Sequence, residues 1–171
     1  MSDRVQFIHL TGEKDYPEVR RCYERSSLQA YVAPFHSEMK ILFDAADLVL
    51  ARAGASTIAE ILQTGKPAVL VPFPYATAQH QDENARYLER HNGAFVLKEK
   101  ESSPGQRTIP GLRERLLALI ENERLLRDMG ENNHALANGS GAENIVDVLF
   151  RIARPEKVAY PEIRRRVAVP A

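Results

Sequence analysis

The stretch from Asp47 to Asn84, DLVLARAGASTIAEILQTGKPAVLVPFPYATAQHQDEN, constrains the fold more than any other part of this chain. Leu48 to Ala51 is a short apolar run of the kind a buried parallel strand needs. Arg52-Ala53-Gly54-Ala55 then turns the chain, and Ser56 or Thr57 stands where a helix cap is expected. The helix that follows carries Ile58, Ile61 and Leu62 on one side, which suits packing against a sheet. Gly65 and Pro67 end it in the usual order, a glycine followed shortly by a proline. Ala68 to Val71 is the next buried strand, closed by Pro72-Phe73-Pro74. The unit is strand, glycine turn, helix, strand.

Such a turn has a definite chemistry. Helix N-termini expose N–H groups and the positive end of the helix dipole, so they attract anions. In open α/β sheets, ligands sit outside the carboxyl ends of the strands. Gly54 and Ala55 keep that approach clear of side chains. Glu60 lies one turn in from Ser56 and Thr57, where a carboxylate can accept hydrogen bonds from two vicinal hydroxyls, as on a ribose. The spacing fits a Thr57–Glu60 capping box equally well.

Around this unit the alternation continues. Val5 to Leu10 reads as a buried strand ending in Thr11-Gly12, and Tyr16 to Ser26 as a surface helix. Leu28 to Val32 is a second strand, and Ser37 caps a helix that runs to Ala46. Asp82 to His91 is a helix, and Ala94 to Leu97 a last short strand. The pattern predicts an α/β fold, a Rossmann-like parallel sheet with helices on both faces. Ser102 to Pro110 reads as a loop. Beyond it come an amphipathic helix through Leu112, Leu116, Leu119 and Ile120, a short continuation from Leu125 to Met129, and a final helix, Ala142 to Ala153. The division expected is one domain over residues 1–154 and a basic tail over 155–171, which ends PEIRRRVAVPA. That tail reads as a solvated terminus; attraction to an anionic lipid surface is the sharper alternative.

Four pieces of the central stretch, in order, resemble the donor-site signature of the MurG family, the N-acetylglucosaminyltransferases that make lipid II for peptidoglycan. They are RAGASTIAE, GKPAVLVPF, His80-Gln81 and Asn84-Ala85. The similarity extends upstream through HLTG at His9 to Gly12 and through Ala33-Pro34-Phe35, so it covers most of residues 5 to 100. The resemblance implies the C-terminal, donor-binding half of a GT-B glycosyltransferase. It implies substrate contacts at Arg52, Gly54, Ser56, Thr57, Glu60, His80, Gln81 and Asn84, and at His36, where main-chain atoms meet uracil. His80 and Gln81 would contact the N-acetylglucosamine hydroxyls, with Asn84 close by. It assigns no catalytic residue to this chain, no metal and no cofactor, because the presumed general base belongs to the acceptor-binding half.

Against the family pattern this sequence lacks the acceptor half, the first strand of the donor half and its glycine-rich loop. In the strand order 3-2-1-4-5-6 that strand is the central one. Val5–Leu10 is therefore expected either to pair directly with Leu48–Ala51 or to leave an unpaired edge on each. The expectation is a fragment, a truncated gene product, or a half that pairs with a second chain or with itself. Transfer of N-acetylglucosamine from UDP-N-acetylglucosamine to a lipid-linked acceptor, with inversion, is the function implied, in the cytoplasm or peripherally at the cytoplasmic face of the inner membrane. The chain alone is expected to be inactive. The alternative is a non-catalytic nucleotide-sugar-binding subunit that works with a membrane-bound partner; the paired motifs disfavour a UDP-sugar epimerase.

Composition excludes several other classes. Lysine plus arginine and aspartate plus glutamate number 23 each, so the net charge is zero and a general nucleic-acid binder is disfavoured. Cys22 is the single cysteine, which rules out an internal disulfide and points to a reducing compartment. No apolar stretch approaches the ~20 residues of a spanning helix. The histidines are scattered, without metal-ligand spacing.

Overall fold

The computed structural model of the chain describes residues 5–74, 80–103, 106–137, 139 and 141–153. The chain divides into two compact units, Met1–Ala137 and Asn138–Ala171. The basic tail expected at 155–171 lies outside the described residues. In chain order the first unit holds β1 (Gln6–Leu10), α1 (Gly12–Glu24), β2 (Gln29–Ala33), α2 (Met39–Ala45), β3 (Val49–Ala51), α3 (Ala55–Thr64), β4 (Ala68–Leu70), α4 (His80–Arg90) and β5 (Ala94–Val96). After β5 come β6 (Lys100–Ser103), β7 (Gln106–Thr108), α5 (Leu112–Ile120) and α6 (Glu123–Leu136). The second unit holds α7 (Gly141–Ala153), an amphipathic helix on which Ile145, Val148, Leu149 and Ile152 are exposed.

All five expected strands are present within one residue of their expected ends, and every pairing among them is parallel. They form two ladders, β1-β2 and β3-β4-β5. β1 does not pair with β3, so of the two arrangements expected the chain adopts the one with separate edges. Among the described residues each of these two strands has one edge without a ladder partner. α1 covers one face of β1-β2, where Phe7 and His9 meet the ring of Tyr23. On the other face Ile8 and Tyr31, opposite each other in register, are 40% and 50% exposed.

β4 is the buried spine of the larger ladder. Ala68 and Leu70 enter a core built with Phe43, Ile58, Ile61, Ala85 and Leu88 from α2, α3 and α4. Val69 enters a second core with Leu119 and Met129 from α5 and α6. The alternation follows from the two-residue period of a strand. Each fully buried Leu or Ile contributes about 1.5–3 kcal/mol.

Several local expectations are corrected. α1 begins at Gly12, with Pro17 inside it, rather than at Tyr16. Gly12 has φ +73°, a turn that only glycine makes without strain. α2 is not capped by Ser37; its N-cap is Glu38, whose N–H donates to Nδ1 of His36 at 3.1 Å. Leu125–Met129 is not a short continuation but part of a separate 14-residue helix, α6, capped by Asn122, which accepts the Leu125 N–H at 3.0 Å. Within the expected loop at Ser102–Pro110 lies most of an antiparallel hairpin, β6-β7. Lys100, Glu101, Arg107 and Thr108 are exposed and none is apolar, so these strands show no apolar alternation; Glu101 stands opposite Arg107 in register.

α6 is fastened to the sheet by a close approach. Asn133 is fully buried, and its Nδ2 donates to the carbonyls of Lys66 and Gly93, each at 2.8 Å. Its Oδ1 has no hydrogen-bond partner among the described residues. A Cβ placed on Gly93 would lie 1.8 Å from that Oδ1, so a Cα–H of Gly93 points at it, a weak but real compensation. One turn earlier, a Cβ on Gly130 would lie 2.6 Å from the Gly65 carbonyl. Gly65 itself ends α3 in the left-handed region, φ 60° and ψ 37°. In urea unfolding, Gly93→Ala should cost roughly 1–3 kcal/mol by overpacking. The cost should shrink when Asn133→Ala removes the clashing amide; an equal cost in both backgrounds would contradict this contact.

Candidate functional site

The polar residues of the central stretch gather where β3, β4 and β5 end. β3 stops at Ala51 and α3 starts at Ala55, leaving Arg52, Ala53 and Gly54 to make the turn. Gly54 has φ −67° and ψ 152°, a conformation any residue adopts. A Cβ there would meet only Thr57 Oγ1, at 4.0 Å. Glycine at this point therefore serves space, not backbone freedom: it leaves the front of α3 open.

The start of α3 is uncapped. Ile58 N–H makes the first helical bond, to the Gly54 carbonyl at 2.9 Å, and no side chain caps the helix. The N–H groups of Ala55, Ser56 and Thr57 thus lack intrahelical acceptors and point along the positive end of the dipole. Ser56 and Thr57 are the second and third helical residues, so neither is the cap expected from sequence. The Thr57–Glu60 capping box falls with it, since that motif needs Thr57 outside the first turn. Glu60 is half-buried in the second turn, and among the described residues its carboxylate has no hydrogen-bond partner. An anion acceptor at the helix front and a free carboxylate one turn behind it make a site with two opposite demands. It can take a negatively charged group first and hydroxyl donors second.

Three of the residues expected to touch substrate make hydrogen bonds that hold the strand ends together. Asn84 Nδ2 donates to the Ala53 carbonyl at 3.0 Å, which ties α4 to the β3–α3 turn. Gln81 Oε1 accepts the Phe73 N–H at 2.9 Å, which ties the start of α4 to the segment after β4. Arg52 Nη1 donates to Glu99 at 2.8 Å and, more weakly, to the carbonyls of Val71 and Pro72 at 3.3 and 3.4 Å. The Arg52 guanidinium also lies 5.5 Å from the centre of the Phe73 ring. His80, the first residue of α4, is exposed. Residues 75–79, which lead into it, lie outside the described residues.

His36 stands apart, at the end of the β1-β2 ladder. Its ring meets Tyr31 edge-on at 6.3 Å, and no hydrogen bond or ring contact among the described residues links it to the β3–α3 turn. Nδ1 of His9 lies 3.3 Å from the Tyr23 hydroxyl. Glu99 escaped sequence reasoning altogether. It sits in a KEKE run that reads as a solvated face, and only its partner 47 residues away distinguishes it. Among the described residues no group of three or more His, Cys, Asp or Glu is placed to hold a metal ion. None of the helices there is long and apolar enough to cross a membrane.

Residues 1–148 match the glycosyltransferase family 28 C-terminal domain. This chain belongs to that family. Its relatives include the UDP-N-acetylglucosamine–N-acetylmuramyl-(pentapeptide) pyrophosphoryl-undecaprenol N-acetylglucosamine transferases of Trichlorobacter lovleyi and Geotalea uraniireducens. The first is 39% identical over 151 residues, which are 88% of this chain and 38% of the relative. The second is 36% identical over 151 residues, 88% of this chain and 40% of the relative. The crystal structure of MurG from Acinetobacter baumannii superposes with a TM-score of 0.73 at 27% identity, covering 85% of this chain and 43% of that one. The MurG resemblance read from the motifs therefore holds, and so does the α/β fold of the C-terminal half of a GT-B enzyme. The chain spans about two fifths of the length of the curated relatives it matches.

If Asn84 positions the family turn, Asn84→Ala should lower stability by about 0.5–1.5 kcal/mol, the net worth of one hydrogen bond. Amide exchange at residues 53–57 should quicken while exchange in α6 stays unchanged. Exchange that is uniform across the chain, or unaltered at the turn, would remove Asn84 from that role.

Proposed function

We propose that this domain binds UDP-N-acetylglucosamine and acts as the donor half of an inverting N-acetylglucosaminyltransferase of lipid II synthesis. The observation that carries this reading is the uncapped N-terminus of α3, with a Glu60 carboxylate one turn in that has no hydrogen-bond partner among the described residues. The diphosphate lies against the N–H groups of Ala55, Ser56 and Thr57, where the dipole favours negative charge. Glu60 accepts from the two ribose hydroxyls. Exposed His80 faces the sugar, and the main chain at His36 borders the base. The relatives' names support the choice of substrate pair, and the uncapped helix front with Glu60 behind it supports this arrangement of its charged and hydroxyl-bearing parts.

In this reading the reaction is a single displacement at the anomeric carbon. The acceptor hydroxyl attacks from the face opposite UDP, the glycosidic bond to the diphosphate breaks, and UDP departs with the electron pair. Negative charge then grows on the diphosphate oxygen, where the α3 N-terminus already stands, so the stabilisation is greatest in the transition state. The acceptor's proton must go to a base on the opposite side. His9, on β1, is engaged with the Tyr23 hydroxyl of α1 and His36 with the Glu38 N–H, and in this reading neither fills that role. Transfer therefore calls for an acceptor half, in the same polypeptide or as a second chain, at the cytoplasmic membrane face where a lipid-linked acceptor resides. Positioning of the two substrates supplies much of such a rate.

Two outcomes test this. Calorimetry should show UDP binding that Glu60→Ala weakens by roughly 1–3 kcal/mol, the usual range for a bond to a charged group. An unchanged affinity would leave Glu60 without a ligand role. With UDP-N-acetylglucosamine and lipid I, the 171-residue chain should form no lipid II until an acceptor half is supplied. Turnover by the chain alone, abolished by changing His80 or Glu60, would overturn the half-enzyme assignment.

A further inference from the structure

Glu99 lies just beyond β5 in a polar stretch, yet its side chain is only 9% exposed. A carboxylate so covered is costly unless it is paired. It has two cationic neighbours, the Arg52 guanidinium at 2.8 Å and that of Arg107, on β7, at 3.9 Å. Arg52 is the last residue before the buried Ala53 of the β3–α3 turn, and its side chain is 44% exposed. The same nitrogen of Arg52 reaches Glu99, Val71 and Pro72. An Nη atom carries two hydrogens for these three acceptors, so the short contact with the carboxylate dominates and the two carbonyls share the remainder. One guanidinium thereby joins the carboxyl ends of three strands: β3 through its own backbone, β4 through Val71 and Pro72, and the exit from β5 through Glu99.

We propose that Glu99 is a positioning residue for the ligand site, acting through Arg52. Without the carboxylate, Arg52 keeps only two long bonds to carbonyls and a ring contact, and a half-exposed arginine then gains more by entering water. The β3–α3 turn loses its lateral tie, and the N–H groups of Ala55, Ser56 and Thr57 lose their fixed direction. Pairing with Glu99 also offsets the Arg52 charge, so the site's attraction for an anion comes mainly from the helix front. The ligand part of this inference rests on the donor-site reading; the positional part does not.

The test uses the full chain and the variants Glu99→Gln, Arg52→Met and both together, with UDP as the probe. Glu99→Gln keeps the shape of the side chain and should leave the melting transition cooperative. It should speed amide exchange at residues 53–57, and weaken UDP binding, by roughly three- to tenfold, the scale of one charge-assisted bond. Neither effect should add to those of Arg52→Met, because both act through one contact. Should the unaltered chain fail to bind UDP, the donor reading falls while the exchange data still decide the positional claim. Unaltered exchange at 53–57 in Glu99→Gln, or full additivity with Arg52→Met, would overturn the proposal. Exchange quickened equally in α6 would reduce Glu99 to general stability and overturn it as well.

Discussion

Burial of β4 on both faces is the constraint from which the rest of the first unit follows. Ala68, Val69 and Leu70 are fully buried and Val71 nearly so, with odd and even positions in different cores. A strand in that position must have its backbone paired along both edges, since water cannot reach it. β3 and β5 supply the pairing. Once three parallel strands share a register, their carboxyl ends leave the sheet side by side, and so do their amino ends. Each end then needs its own means of satisfying the polar backbone that emerges.

The two ends are closed by different chemistry. At the amino ends Asn133 reaches from α6 and binds the carbonyls of Lys66, just before β4, and Gly93, just before β5. The fit is tight enough that neither Gly93 nor Gly130 has room for a side chain. At the carboxyl ends Arg52 does the joining, through carbonyls and a carboxylate, and its neighbourhood is half open to water. A packed amide at one end resists change; a charged, partly exposed link at the other tolerates a ligand beside it. That difference agrees with the general placement of ligands outside the carboxyl ends of parallel strands.

Much of this was legible in the sequence, and what was not has a common cause. Strand positions came from short apolar runs bounded by glycine and proline, and the ladder's direction from the strand–helix alternation. Motif spacing led to the family and to the α3 N-terminus. Asn133 was invisible because an asparagine in an NNH run reads as surface; its burial depends on carbonyls 67 and 40 residues away. Substrate contacts at Arg52, Gln81 and Asn84 were implied by the family resemblance of the motifs that contain them. Their bonds to Glu99, Phe73 and Ala53, which also hold the loops, could not be read from the motif, because those partners lie elsewhere in the sequence. The β6-β7 hairpin was missed because its strands, KESS and QRT, hold no apolar residue and so write no apolar alternation.

The central claim is that a nucleotide sugar sits on the open front of α3 at the ends of β3, β4 and β5. Chemical-shift mapping on the 15N-labelled chain, titrated with UDP-N-acetylglucosamine, tests it most directly. The account predicts saturable shifts largest at the amides of Gly54, Ala55, Ser56 and Thr57, with smaller ones at His80 and Gln81. Saturable shifts confined to another surface, such as the Tyr16–Arg20 face of α1, or none at all at millimolar ligand, would contradict it.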